Sequence, residues 1–248
     1  KESVEYRDKH HAKLPVWGAI CMSVETWHDP AEKQKVLNDL VKIPVDGYFA
    51  YGDPISSSSN LTQLFHYADL LLTLQSNTKA PVVACRVNGF GMILLAFGLS
   101  GISSGVGSLD SFSESILSDP SEGYGPDPRY YIPELMSMIS LTKRTTVKVM
   151  DIQKSSIANE LHCDCGHCAA INSGSINEQE IKLHFLKRRK QEIDALLKTA
   201  PNDRIEYIEN KVDEALAHLK QLKNEKIKVG SLDHLRTWKQ LITELKKQ

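Results

Sequence analysis

Three cysteines stand close together in the sequence, at Cys163, Cys165 and Cys168. The C-x-C-x2-C spacing offers three thiolates from one tight turn, and Gly166 is expected to let that turn close where a side chain would crowd it. Structural zinc is held by four ligands in a tetrahedral arrangement, most often thiolates and imidazoles. The spacing therefore predicts a zinc site that takes its fourth ligand from another part of the chain.

The fourth ligand is predicted to be His184, which lies on a predicted helix that begins just after a polar loop. His162 and His167 are the alternatives, but each is adjacent to a cysteine and would have to close a strained small loop. Because four protein ligands leave no open coordination position for water, this zinc would be structural and not catalytic.

Two other interpretations of the cysteines need no metal: a disulfide with one free thiol, or ordinary loop residues. The chain shows no segment that resembles a secretory signal, so a disulfide framework is disfavoured. Free thiols together with zinc fit a reducing compartment, and we therefore expect a cytoplasmic protein.

The composition is typical of a soluble globular protein, with 41% hydrophobic and 25% charged residues and a formal net charge of -1. At 248 residues the chain could form one large domain or two small ones. No apolar run approaches the roughly 18 residues of a membrane span, so we expect no membrane partner. The near-neutral charge argues against a protein wrapped in nucleic acid, although local patches could still bind phosphates.

In the first half of the chain, apolar strands alternate with helices. Strands are predicted at 14–22, 45–52, 80–87 and 101–107, and helices at 30–41, 61–74 and 92–99. This alternation predicts βαβ units with a parallel sheet, and continuous apolar strands fit a sheet that is covered on both faces. The four units fit either half of an eight-fold (β/α) barrel or a small doubly wound sheet.

A barrel carries its functional groups at the carboxyl ends of its strands. The ends of the predicted strands carry Met22 with Ser23, Gly52 with Asp53, Arg86 with Asn88, and the segment 108–110, which ends at Asp110. Arg86 could bind a phosphate or pair with a neighbouring carboxylate. Asp53 and Asp110 also suit turn or helix-cap positions.

The second half begins with a stretch rich in Ser, Asp, Pro and Gly, in which 118–129 is predicted to be an exposed loop. A further strand is predicted at 145–152, before the cysteine cluster. The helix that carries His184 also carries the basic run Lys187, Arg188, Arg189 and Lys190. That run is interpreted either as a solvated helix face or as a set of phosphate contacts.

Apolar residues recur three and four apart at 205, 208, 212, 215, 219 and 222, after a helix break at Pro201. Such a seam predicts one helix packed on its neighbours or, alternatively, an intermolecular coiled coil. A last amphipathic helix is predicted at 232–245. We divide the chain into a barrel portion at 1–150, a zinc knuckle with its following helix at 151–200, and C-terminal helices at 201–248.

Three features together resemble the tRNA-guanine transglycosylase family, which includes paralogues that modify DNA. They are the C-x-C-x2-C knuckle with a downstream helical histidine, Trp17-Gly18-Ala19-Ile20 one helix before Val45-Asp46-Gly47-Tyr48, and a strand that opens with Gly101-Ile102. The resemblance covers roughly residues 14–200. It implies an α/β fold, a (β/α) barrel of the TIM type that is partial in this chain, with a zinc-binding knuckle and a helical C-terminal region. The strands that open the family's barrel would have to lie before Lys1.

The resemblance also implies an activity, that of a pentosyltransferase. Members of the family exchange a guanine in nucleic acid for a 7-deazaguanine: an aspartate attacks the anomeric carbon of the ribose, the base leaves, and the new base displaces the enzyme. The target base must be swung out of its stack. The implied partners are therefore tRNA or DNA and a 7-deazaguanine base, with Zn2+ as a structural cofactor and a homo- or hetero-oligomer as a further possibility.

At the nucleophile, this sequence departs from the family pattern. The position that matches the family's aspartate is Val106, so Asp110 and Asp53 are the candidates for a relocated nucleophile. The predicted substrate-binding residues are Gly52, which matches a glycine of the family's base pocket, together with Arg86 and Asn88. The basic run 187–190 is the predicted nucleic-acid contact.

Three functional hypotheses follow. The first is a divergent transglycosylase that acts on tRNA or DNA. The second is a catalytically inactive member that binds nucleic acid or a partner subunit. The third is an unrelated zinc-stabilised α/β barrel enzyme with another substrate.

Overall fold

The computed structural model describes residues 2–10, 14–23, 27–53, 55–56, 59–105, 129–141, 146–168, 177–229 and 232–248. The chain divides into two units. Unit 1 consists of Lys1–Ser104, Ser111–Pro120 and Thr243–Gln248, and unit 2 consists of Gly105–Asp110 and Ser121–Ile242. The knuckle and the helix at 204–224 therefore belong to the same unit. The three-part division made from the sequence stays a prediction.

Unit 1 contains a four-stranded parallel sheet. Its strands are β1 Trp17–Ser23, β2 Gly47–Asp53, β3 Val82–Cys85 and β4 Gly101–Ser103. They lie in the order β1-β2-β3-β4, so each strand is hydrogen-bonded to the next one along the chain. The four predicted strands and their parallel arrangement are confirmed.

Within the described ranges of unit 1, these strands are accompanied by helices α1 Glu2–His10, α2 Pro30–Leu40, α3 Leu61–Thr78 and α4 Gly91–Ala96. The predicted start of α2 is confirmed, because the Asp29 side chain caps it by accepting from the amides of Ala31 and Glu32. Helix α4 ends earlier than predicted, before Gly98, whose φ of 93° lies in the left-handed region that a continuing helix cannot use. Helix α1 was not predicted.

Helices α2 and α3 both lie against the same face of strand β2. The hydroxyl of Tyr48 donates to the backbone oxygen of Leu40, the last residue of α2, over 2.7 Å. The hydroxyl of Tyr67, on α3, donates to the backbone oxygen of Ala50 over 3.1 Å. Because alternate strand residues point to one face, Tyr48, Ala50 and Gly52 all face this helical layer. The apolar core of unit 1 therefore lies between the sheet and the helices.

On the opposite face of the sheet, the side chains are less completely covered. Trp17 stacks on Phe49 with ring centroids 4.8 Å apart, and Phe49 remains 39% exposed. Cys21 is exposed on the same face. Helices α2 and α3 thus cover the Tyr48 face, and coverage of the opposite face stays a prediction.

Unit 2 contains an antiparallel hairpin of β5 Arg129–Ile132 and β6 Ser137–Ser140, joined by a short 3-10 turn at Pro133–Leu135. The helices among its described residues are α5 Thr146–Gln153, α6 Ala158–Leu161, α7 Glu178–Lys198, α8 Arg204–Asn224 and α9 Asp233–Leu245, of which the last three residues belong to unit 1. The strand predicted at 145–152 is wrong. The segment is α5, and its buried residues Val149 and Ile152 stand three apart, which is helical spacing.

Helix α8 uses the predicted apolar seam to pack within its own chain. The buried seam residues are Ile208, Val212, Ala215, Leu219 and Leu222. On a neighbouring face, His218 contacts the backbone oxygen of Glu134 at 3.2 Å and the carboxylate of Glu160 at 2.9 Å. The seam thus forms part of the core of unit 2.

Among the described residues, every helix is either too short or too polar to span a membrane.

Candidate metal centre

The cysteine cluster lies in a short loop between α6 and the residues that precede α7. The amide of Cys168 donates to the backbone oxygen of Cys165 over 2.9 Å and so closes a tight turn. The role predicted for Gly166 is wrong, because a Cβ at this position would meet nothing within 4 Å and its φ is not in the left-handed region. The turn is set by its hydrogen bond and not by a requirement for glycine.

Helix α7 presents His184 to these sulfurs. The helix begins where the side chain of Asn177 accepts from the amides of Gln179 and Glu180, so its first turn is capped. His184 Nδ1 lies 3.6, 3.3 and 3.1 Å from the Sγ atoms of Cys163, Cys165 and Cys168, respectively. All four residues are buried, and their ligand atoms lie within 4.8 Å of one another.

These separations fit a tetrahedral ion. With Zn–S near 2.3 Å and Zn–N near 2.0 Å, the edges of the tetrahedron are about 3.8 Å between sulfurs and about 3.5 Å between sulfur and nitrogen. The Sγ atoms of Cys165 and Cys168 are 3.3 Å apart, about half an ångström shorter than this sulfur–sulfur edge. The predicted meeting of the three cysteines with His184 is confirmed, and the group could hold a metal ion such as zinc.

The alternatives to this ligand set do not agree with the structure. All five cysteines have free thiols, which excludes the disulfide interpretation. His162 is exposed. The ring Nδ1 of His167 pairs instead with the carboxylate of Glu180 at 2.7 Å. His184 is therefore the histidine that completes the group.

The hairpin supplies the contacts that orient the ligands. His184 Nε2 donates to the backbone oxygen of Tyr131 over 2.7 Å, which leaves Nδ1 with its lone pair available for an ion. The ring of Tyr130 stacks on the imidazole at 4.6 Å, and its hydroxyl lies 3.3 Å from the Sγ of Cys168. Strand β5 thus contacts both the imidazole and one of the thiols of the group.

Burial acts against the charged forms of these ligands when no cation is bound. It raises the pKa of the Cys163 and Cys168 thiols and lowers the pKa of the His184 imidazole. A divalent cation reverses this effect for the thiols, because coordination displaces their protons. The cysteines of the group are therefore neutral thiols when no ion is bound and become thiolates when an ion binds.

The basic run on α7 does not form a single exposed surface. Lys187 and Lys190 are exposed, and Lys190 pairs with Asp194 at 2.5 Å. Arg188 pairs with Glu134 at 2.8 Å, and Arg189 is buried. Because successive helical residues point in different directions, the run presents two exposed lysines and not four exposed cations.

Sequence reasoning missed a buried polar network next to the metal group. The hydroxyl of Tyr131 donates to both carboxylate oxygens of Glu192, at 2.8 and 2.9 Å. The guanidinium of Arg189 lies over the Tyr131 ring at 4.8 Å and pairs with Glu192 at 3.4 Å. Burial is the main reason that the pKa of Glu192 is raised. The i, i+3 spacing of Arg189 and Glu192 was the available signal, but it could not indicate burial.

The residues predicted at the strand ends are only partly brought together. Asp53 ends β2 beside Ser23 in the ladder, and Arg86 directly follows β3, so both stand at the carboxyl edge of the sheet. Arg86 has a φ of 55°, which is unusual for a residue with a side chain, and its amide donates to the Ser103 oxygen over 2.7 Å. Asn88 begins a 3-10 turn.

Gly52 has a structural reason to be glycine. A Cβ there would lie 2.6 Å from Ile55, 2.8 Å from Tyr67 and 3.0 Å from Trp27. The close approach of apolar side chains explains the residue without a substrate. Asp110 and Val106 lie outside the described residues, so the structure does not place the second candidate nucleophile.

Comparison of this chain with protein-family models, with curated proteins and with solved structures found no match.

Proposed function

We propose that this chain is a zinc-stabilised, transglycosylase-like protein that exchanges a guanine in tRNA or DNA for a 7-deazaguanine base. The observation that carries the proposal is the meeting of Cys163, Cys165, Cys168 and His184 in one buried group, because these residues are the most specific part of the family resemblance. We take the ion to be Zn2+, since thiolate and imidazole ligands in a tetrahedral set favour zinc over hard divalent cations.

The order of the strands supports a TIM-type barrel, of which β1 to β4 would form one half. A doubly wound sheet reverses its strand order at a switch point and carries helices on both faces. Here the four strands follow chain order, and α2 and α3 lie on the same face of β2. A barrel built from eight such units keeps all its helices outside and its functional groups at the carboxyl edge.

Asp53 is our candidate for the nucleophile, because it stands at that edge one strand away from Arg86. In the proposed reaction a carboxylate oxygen bonds to the anomeric carbon while the bond from that carbon to the guanine nitrogen breaks, and the departing guanine takes up a proton. The nitrogen of the incoming base then displaces the carboxylate and loses its proton to solvent. Arg86 would bind a backbone phosphate.

Incorporation of a labelled 7-deazaguanine precursor into tRNA or duplex DNA tests this activity. The wild-type chain should incorporate the label, and Asp53→Asn should abolish incorporation, whereas Asp39→Asn, at an exposed position on α2, should not change it. If Asp110→Asn is inactive while Asp53→Asn remains active, the nucleophile is Asp110 and not Asp53. No incorporation into either nucleic acid, across several precursors, would refute the enzyme.

A binding subunit is the second candidate function. It is favoured because the strand that carries the nucleophile in the family ends here at Ser103, and the matching position is Val106. Such a subunit should bind duplex DNA or tRNA with an affinity that falls as salt rises, or should co-purify with a second chain. A chain that neither incorporates the label nor binds nucleic acid or a partner would leave the third hypothesis, an unrelated zinc-stabilised barrel enzyme.

A further inference from the structure

The proposed zinc group would carry a net negative charge inside the protein. Three thiolates and a neutral imidazole around Zn2+ sum to one negative charge. The four ligand residues are all buried. A buried charge without a nearby countercharge is strongly unfavourable, because burial removes its hydration. A cation close to the thiolates is therefore expected.

Arg188 is placed to be that cation. It lies four residues after His184 on α7, so the two side chains share one face of the helix. The Nη2 atom of Arg188 lies 2.8 Å from Oε1 of Glu134. Glu134 follows strand β5, and this strand accepts the hydrogen bond of the His184 imidazole at the backbone oxygen of Tyr131. The guanidinium is thus held on the face of α7 that carries His184, one helical turn from this ligand.

The electrostatics of Arg188 agree with this position. Burial disfavours its charged form, but the carboxylate of Glu134 and then Cys163, when it is ionised, outweigh burial and raise the pKa of the guanidinium. Its side chain is 23% exposed, so solvent screens these interactions only in part. Arg188 Nε is buried and has no hydrogen-bond partner among the described residues, which leaves one donor for a further acceptor.

The other cations near the group have other roles. Lys187 is exposed, and Lys182 approaches Glu178 at 4.0 Å. Arg189 lies over the rings of Tyr131 and Phe185. His167 pairs with Glu180.

We propose that Arg188 is the counter-ion of the metal-thiolate group, a positioning residue that Glu134 holds in place and that slows the loss of the metal. This inference rests on the proposed zinc. A simpler role is a Glu134–Arg188 ion pair that fastens the hairpin to α7 and has no effect on the metal. The two roles predict different results for the two partners.

Transfer of zinc from the full chain to a colorimetric chelator separates these roles. Arg188→Gln should release zinc about tenfold faster, since residues that support metal ligands from outside the ligand set affect metal affinity by about 10- to 100-fold. Arg188→Lys, which keeps the charge, should restore at least part of the retention. Glu134→Gln should not speed zinc release, because it removes the carboxylate that competes with the thiolates for the positive charge of Arg188. Lys187→Gln, at the exposed neighbouring position, is the matched control.

Equal acceleration by Arg188→Gln and Glu134→Gln, or no acceleration by Arg188→Gln, would overturn the counter-ion role. Circular dichroism of each zinc-loaded variant excludes a result due to misfolding, and Arg188→Lys provides a second reading if Arg188→Gln does not fold. Failure of the wild-type chain to hold one zinc would refute the proposed metal itself. A zinc-loaded wild type with unchanged Arg188 variants would refute this inference alone.

Discussion

The imidazole of His184 donates from Nε2 to the backbone oxygen of Tyr131 over 2.7 Å. This bond fixes the tautomer that points Nδ1 at the three sulfurs, and it ties α7 to strand β5. A metal at this place would therefore join three separate segments: the hairpin, the knuckle and the helix.

Replacement of the helical ligand should remove the metal. His184→Ala leaves three thiolates, so we expect less than one zinc per chain and a melting temperature lower by roughly 10 °C, because structural zinc contributes directly to folding free energy. Elemental analysis and thermal denaturation measure the two effects. His162→Ala, at an exposed position, is the control. Full zinc content in His184→Ala would show that another residue completes the site.

Removal of the metal should loosen unit 2 and spare unit 1. After treatment with a chelator, hydrogen exchange should accelerate in β5 and in the first turns of α7, because both elements contact the ligand group. Amides of α3, which belongs to unit 1, should keep their protection. Uniform loss of protection in α3 and β5 would mean that the metal supports the whole chain and not this group of segments.

Two glycine substitutions should have opposite outcomes. Gly52→Ala forces a Cβ to within 2.6 Å of Ile55 and 2.8 Å of Tyr67, so we expect a loss of about 1–3 kcal/mol in unfolding free energy. Gly166→Ala meets nothing within 4 Å and should change stability and zinc content little. Denaturant unfolding measures both. A strong loss of zinc in Gly166→Ala would restore the role that the sequence suggested for this residue.

The stability of unit 1 should fall on the acid side of neutrality through His66. Burial, followed by the charges of His28 and Lys33, lowers the pKa of His66 below its usual 6.5, while Asp69 acts in the opposite direction. The unfolded chain therefore takes up a proton at His66 more readily than the folded chain does. The contribution of neutral His66 to the unfolding free energy is present above about pH 6.5 and is lost as the pH falls through the pKa of His66 in the folded protein.

Hydrogen exchange of α3 at pH 7.5 and pH 5, corrected for intrinsic rates, measures this dependence. The wild-type protein should lose more protection on acidification than His66→Gln, whose side chain does not titrate in this range. His28→Gln, at the exposed partner ring, should have the smaller effect. An equal loss of protection in the wild-type protein and in His66→Gln would exclude His66 as the titrating group.

Local chemistry made much of the candidate site predictable. The spacing of Cys163, Cys165 and Cys168 is a property of one turn, and His184 lay on a helix with a recognisable start. The cap formed by Asp29 and the parallel strands likewise depend on short-range signals: side-chain oxygens next to unpaired amides, and apolar runs of strand length. The strand predicted at 145–152 failed because its alternating pattern also contains the helical spacing of Val149 and Ile152.

By itself, the sequence determined which atoms could bind a metal and in what order strands and helices follow one another, because both depend on residue type and spacing. The tertiary structure decided that Arg188 and Arg189 turn inward from a basic run, that Gly52 is enclosed by apolar side chains, and that Tyr130 and Tyr131 support the metal ligands. These features arise from contacts between residues far apart in the chain. Burial and the charges of distant neighbours cannot be read from local spacing, and they alone separate an exposed cation such as Lys187 from one paired with a carboxylate, such as Arg188 with Glu134.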